Sequence, residues 1–133
     1  MLKFNRAMAT IPTQDIKRAR QFYEQKLGLT PREEGQDGSV EYQTGDTTFL
    51  LFPSMGKASG DHTQLGLDVE DIKATADELK SRGVTLEEYD YPDFKTNHGI
   101  VDLPDGSQGA WFKDTEGNLI ALAQRVPATT RAR

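Results

Sequence analysis

The sequence predicts an α+β fold of two tandem β-α-β-β-β modules, about residues 5–56 and 62–126 of a single domain. Together they would form a curved mixed-sheet trough with the helices outside. Three observations predict it. A strand–helix start recurs at a fixed offset, each start opens an amphipathic helix, and each helix is followed by short apolar runs punctuated by Gly and Asp. At 133 residues the chain suits one domain, or two small modules sharing a core.

The repeat is "MATIPTQDIKRARQFYEQKLGL" from Met8 and "QLGLDVEDIKATADELKSRGV" from Gln64. Asp15, Ile16 and Lys17 correspond to Asp71, Ile72 and Lys73, each 56 residues further on. In the first helix Ile16, Ala19, Phe22, Tyr23 and Leu27 share a stripe, and in the second Ile72, Thr75, Ala76 and Leu79 do. Asp15 and Asp71 are the expected N-caps, because a short carboxylate accepts from the unpaired N–H groups of a first turn. Gly28 and Gly83 suit the helix exits.

Strands are expected at "LTPREE", "SVEYQ" and "TTFLLFP" in the first half. In the second they are expected at "VTLEEYDY", "GIVDLP", "SQGAWFK" and "NLIALAQ". "GQDG", "TGD", "PDG" and "DTEG" supply the reversals between them. "SMGKASGD", residues 54 to 61, reads as the linker, and 127–133 as a flexible tail. A period of two turns Ala9, Ile11, Leu65 and Leu67 toward the helices, leaving Met8, Thr10, Gln64 and Gly66 for the trough.

Composition narrows the function. The absence of cysteine removes disulfides, thiolate nucleophiles and Cys-based metal sites. A net charge of -5 argues against a nucleic-acid partner and is compatible with a cationic or neutral small ligand. No apolar run approaches the ~20 residues of a membrane span. "MLKFNRAMATIP" lacks the apolar core of a secretory signal, so the expected address is cytoplasmic, with no membrane partner. "DGSQG" around Ser107 is not a nucleophile elbow, and no Gly-rich phosphate loop is present. The acidic residues Glu87, Glu88, Asp90 and Asp93 read as a solvated strand edge as well as an acid/base pair.

"DIKRARQFYEQKLGL" and "WFKDTEGNLIAL", with the second strand–helix start, resemble the vicinal oxygen chelate superfamily. That group includes glyoxalase I, bleomycin-resistance proteins, fosfomycin-resistance enzymes and extradiol dioxygenases. The resemblance spans about residues 7 to 126 and implies the glyoxalase/bleomycin resistance fold. It also implies where metal-dependent members hold their ion: at Met8 and Gln64 on the first strands, at Ala121 in the last, and near Phe49 to Leu51. Ala121 cannot ligate, a thioether prefers soft ions, and one amide holds a hard ion poorly. No cofactor and no catalytic residue are therefore expected.

The leading expectation is a metal-free protein that sequesters an aromatic drug or metabolite, an antibiotic-resistance role, as the resemblance to bleomycin-resistance proteins implies. Those relatives also imply a homodimer, formed by exchanged halves or by side-by-side packing. Strand positions that converge on the trough give Met8, Thr10, Gln64 and Ala121 as ligand-binding candidates. The strand and loop aromatics and their neighbours add Tyr42, Phe49, Leu51, Tyr91, Phe94, His98 and Trp111. Tyr89 shares a strand face with Tyr91. Two alternatives stand beside this. One is a metal-dependent lyase, isomerase or dioxygenase with a relocated site drawn from His62, Gln64 and His98, with Asp61 or Glu41. The other is an interaction domain with an empty trough.

Overall fold

The computed structural model describes residues 2–126, so the tail expected at 127–133 lies outside the described residues. It contains two compact units. One runs up to Ser59 and includes Thr115–Gly117; the other is Gly60–Asp114 with the described residues from Asn118 on. Residues 54 to 61, expected as the linker, carry no regular structure; 54–59 fall in the first unit and 60–61 in the second.

The first unit carries β1 (Ala9–Thr13), α1 (Ile16–Gln21), β2 (Pro31–Glu34), β3 (Val40–Thr44) and β4 (Thr47–Pro53). Its sheet has the order β1-β4-β3-β2, with β1 parallel to β4 and the other pairs antiparallel. In the second unit β5 (Thr63–Asp68) and α2 (Ile72–Ser81) precede a small hairpin, β6 (Asp90–Tyr91) and β7 (Phe94–Lys95). Then come β8 (Ile100–Asp102), β9 (Gln108–Lys113) and β10 (Leu119–Gln124). The order is β5-β10-β9-β8, again with first and last strands parallel. Two mixed four-stranded sheets of equivalent order make this the α+β, two-module fold read from the repeat.

The repeat is also exact at its helix starts. The Asp15 carboxylate accepts from Arg18 N at 3.1 Å with φ -139° and ψ 96°. The Asp71 carboxylate accepts from Ala74 N at 3.1 Å with φ -137° and ψ 95°. Gly28 (φ 73°) and Gly83 (φ 86°) make the left-handed exits that a side chain would strain.

Ile11, Val40, Tyr42, Phe49 and Leu51 meet Phe22 and Tyr23 in the first core. Tyr23 stacks on Tyr42 at 5.8 Å and tilts against Phe49 at 5.8 Å. The Tyr42 hydroxyl donates to Glu24 Oε2 at 2.8 Å; burial first, then Glu24, pushes that phenol well above its ordinary range. The second core sets Ile72, Ala76 and Leu79 of α2 with Leu65, Ala110, Phe112, Ile120 and Leu122 of the sheet. Each large apolar side chain buried this way contributes roughly 1.5–3 kcal/mol.

Three expectations are corrected. The first helix does not stay regular: it widens into a π-helical turn, Phe22–Lys26, closed by Leu27 N donating to Phe22 O at 3.2 Å. The wider turn accommodates two adjacent buried rings, Phe22 and Tyr23. Ala9 is exposed, because it begins an edge strand beyond the cover of the helix. "VTLEEYDY" is not a continuous strand. Leu86 makes one bridge to Phe112 and Glu87 N donates to Trp111 O at 2.8 Å, after which the chain leaves β9 for the β6–β7 hairpin. The remainder of that β9 edge is already paired with β8.

The "DTEGN" turn does more than reverse the chain. The Asp114 carboxylate accepts from Asn118 N at 2.9 Å and Nδ2 at 2.8 Å, and Gly117 sits at φ 84°. Glu116, 2% exposed, belongs to the first unit. Its carboxylate accepts from Gln14 N (2.9 Å), Asp15 N (3.1 Å), Arg18 Nε (2.8 Å) and Thr115 Oγ1 (3.0 Å). Burial pushes this carboxyl up, but those donors outweigh it and hold it at about 2, below its ordinary 4.5.

Candidate functional site

The second sheet has one face against α2 and one face open. Ala121 pairs with Gly66 on β5 and with Trp111 on β9, so the three form a single row across three strands. The adjacent row, Leu65, Ile120 and Phe112, is buried, so alternation puts Gly66, Ala121 and Trp111 on the open side. A Cβ added at Gly66 would meet nothing within 4 Å. The row therefore falls from an indole to a floor of one hydrogen and one methyl.

Trp111 is fixed in place. Its Nε1 donates to Thr63 Oγ1 at 3.2 Å. The benzo ring lies over Gly109, where an added Cβ would come within 3.0 Å of the indole. Gln64 is half-buried at the bulge where the β5–β10 register shifts between Leu119 and Ile120.

An aromatic wall stands beside this floor. Trp111 meets Tyr89 edge-on (5.8 Å, 86°) and Phe94 at 5.4 Å and 56°. Tyr89 also stacks with Tyr91 at 6.4 Å and meets Phe94 edge-on at 5.8 Å. Tyr91 is 60% exposed and ends the cluster at the surface. The hairpin carrying these rings is tied at its base by Thr96. Its hydroxyl accepts from Tyr89 N at 2.8 Å and donates to Glu88 Oε1 at 2.5 Å. Glu88 also accepts from Gly99 N at 2.9 Å; with the Thr96 bond, this holds its carboxyl below the usual range despite some burial. Burial first, then Glu87 and Tyr91, raises the Tyr89 phenol, so it stays neutral at physiological pH.

In the first unit Met8 is half-buried and its sulfur accepts from Thr48 Oγ1 at 3.5 Å. Thr10 is exposed, opposite Leu50 and off the core row of Ile11 and Leu51. Tyr42, Phe49 and Leu51 are placed differently from the sequence reading. At 0%, 2% and 0% exposure they are sealed against Tyr23 and cannot line a groove. His98 is also displaced. It lies in a turn beside α2, in a depression shared with Lys73 and Lys80, apart from the aromatic cluster. The fold thus gathers Tyr91, Phe94, Trp111 and Ala121 with Tyr89 and Gly66. Thr63 and Gly109 were missed, although a glycine two residues before a strand tryptophan is a visible sign of a ring lying over backbone.

A family model described as the Glyoxalase/Bleomycin resistance protein/Dioxygenase superfamily matches residues 3–122. The chain belongs to that superfamily. No curated protein matches it. Among solved structures, it is similar to a bleomycin-binding protein complexed with bleomycin, at 22% identity and TM-score 0.69, covering 92% of this chain and 100% of the other. It is similar to TnmS3, an antibiotic binding protein from Streptomyces sp. CB03234, at 21% identity and TM-score 0.63, covering 94% and 100%. It also resembles FosX, a fosfomycin resistance protein from Listeria monocytogenes, at 9% identity and TM-score 0.73, covering 98% of each. At these identities the likeness is one of fold.

The metal of the superfamily's metal-dependent members does not suit the residues present. Ala121 offers only a methyl, Phe49 and Leu51 are sealed in the core, and the Met8 thioether already accepts from Thr48. Gln64 alone supplies one amide oxygen, far from the three ligands a catalytic ion needs. The relocated set fares no better. Both Glu41 oxygens accept from arginine, Arg6 at 3.1 Å and Arg32 at 2.5 Å. Among the described residues no group of three His, Asp or Glu side chains is arranged to hold an ion.

Proposed function

We propose that this protein binds a flat aromatic small molecule without a metal, sequestering a drug or metabolite, and that the ligand stacks beside Trp111 over Gly66 and Ala121. The observation that carries the proposal is the contiguous wall of Trp111, Tyr89, Phe94 and Tyr91 against a floor with no side-chain bulk. Apolar ring surface flanked by a few polar groups is how small-molecule sites are built. The net charge of -5 and the electron-rich ring faces favour a cationic ring system. Two fold relatives whose structures are described as binding bleomycin or an antibiotic support the same reading. Gln64, Met8 and Thr10 are proposed as further ligand-facing residues, in a homodimer acting in the cytoplasm.

Filling the floor tests this without disturbing the core. Gly66→Val places a β-branched residue in a strand and into open space, so stability should hold or rise by up to ~1 kcal/mol. Affinity for planar aromatic cations should fall by at least ~10-fold, because the side chain occupies the stacking volume. A folded Gly66→Val protein that binds as tightly as wild type would place the site elsewhere.

A further inference from the structure

Between Glu87 and Asn97 the chain leaves the second sheet and returns to it, and both ends of this excursion are pinned. At one end Leu86 bridges to Phe112 and Glu87 N donates to Trp111 O at 2.8 Å. At the other Asn97 N donates to Ile100 O at 2.8 Å and Ile100 N donates back to Asn97 O at 3.1 Å. The turn closed by these bonds, His98 at φ 54° and Gly99 at φ 85°, is a tight reversal packed against Leu86. A Cβ at Gly99 would lie 2.5 Å from that leucine, so the base has no room to shift.

The arm above the base is held differently. β6 and β7 are two residues each and form a sheet of their own. A lone two-stranded hairpin is marginal in water without outside support. Among the described residues, every hydrogen bond and ion pair of residues 89–96 ends within 88–96. Thr96 N donates to Tyr89 O at 2.9 Å, for example, and Lys95 Nζ meets Asp90 at 3.4 Å. What joins the arm to the sheet is ring against ring, Tyr89 and Phe94 on Trp111. Ring pairs accept several geometries, so these contacts can be traded for a ligand's ring without breaking a backbone bond.

Glu88 stands where the arm meets its base. Its Oε1 accepts from Thr96 Oγ1 at 2.5 Å and from Gly99 N at 2.9 Å, so one oxygen ties the end of the arm to the pinned turn. The same Thr96 hydroxyl accepts from Tyr89 N at 2.8 Å, which joins the two stems and sets where the Tyr89 ring departs. The arm is thus bonded within itself, clasped at its base and free of polar ties to the floor it faces.

We infer that residues 88–97 are a hinged lid over the aromatic recess, with Glu88 and Thr96 as the positioning residues of its hinge. The inference rests on the aromatic-site reading above. Parting Tyr89 and Phe94 from Trp111 opens the indole and the Gly66–Ala121 floor to a ligand. Closing brings Tyr91, 60% exposed, down on it. A closed lid obstructs exit, so the clasp slows release more than it affects capture.

Amide hydrogen exchange of the full chain by NMR, with and without proflavine, tests this. In free protein the Thr96 amide, though bonded to Tyr89 O, should exchange at least ~100-fold faster than the paired amides of β9 and β10. Proflavine at about ten times its Kd should slow it about 10-fold, because the ligand is held only by the closed arm. Thr96→Val keeps the side-chain shape and removes the clasp. It should speed exchange in 89–96 and proflavine release by at least ~10-fold each, with β9 and β10 exchange and the capture rate changed less than ~3-fold. The inference is overturned if the free Thr96 amide is as slow as those of the sheet, if bound proflavine leaves it unchanged, or if Thr96→Val alters capture as much as release. Should proflavine give no saturable Trp111 quenching, the aromatic-site reading is what fails. Trp111→Ala then decides the hinge by itself: faster exchange confined to 89–96 supports the arm's docking on the indole, and unchanged exchange there overturns it.

Discussion

Glu116→Gln is expected to cost about 3 kcal/mol of folding stability at neutral pH. The glutamine keeps the shape and can still accept from Gln14 N and Asp15 N. It loses the charge that meets Arg18 and sets its amide N–H groups against a guanidinium. The size follows from linkage. The folded carboxyl is held at about 2 against an ordinary 4.5, so its contribution is fully present above the unfolded value and is lost as pH falls through the folded one. Urea unfolding of wild type and variant between pH 2 and 7 should show a constant gap above pH 5 that closes toward pH 2. A gap that stayed the same at all pH values would mean that packing, not charge, is what Glu116 supplies.

Trp111→Ala is expected to weaken aromatic-ligand binding by roughly 2–4 kcal/mol, on the order of 100-fold, the scale of an aromatic hot spot. The ring meets Tyr89 and Phe94 and stands at the edge of the small-residue floor, so its removal deletes the main stacking surface of the proposed site. It lies half-buried on the open face, outside the α2 core, and stability should change far less than affinity. Because the chain has one tryptophan, the variant is read by calorimetry rather than fluorescence. Trp111→Phe keeps a ring but loses the bond to Thr63, and should fall between the two.

The architecture was readable because its signals are local. An aspartate before each helix, a glycine after it and Gly/Asp turns between short apolar runs specify the same unit twice. The site was readable only in part. Alternation says that Trp111 and Phe112 face opposite ways, but not which one meets the helix; the pairing of Ala121 with both Gly66 and Trp111 decides that. Tyr42 and Phe49 have the pattern of groove residues, yet Tyr23, held inward by the π-helical turn, claims them for the core. The partners of Glu116 lie about a hundred residues earlier in the chain, beyond any local pattern. His98 joins the Lys73 and Lys80 side because its turn is docked on α2 by a lysine one cannot place from periodicity alone.

Ala121 connects these points. The resemblance puts a metal ligand at this position, and the proposed aromatic site takes the Ala121 methyl as part of its floor. Titration of Trp111 fluorescence with planar aromatic cations such as proflavine and ethidium, before and after dialysis against a chelator, tests this most directly. Saturable quenching, unchanged by chelation, is the predicted result. Quenching that needs an added divalent ion, or no saturable response to either probe, would contradict a metal-free aromatic site.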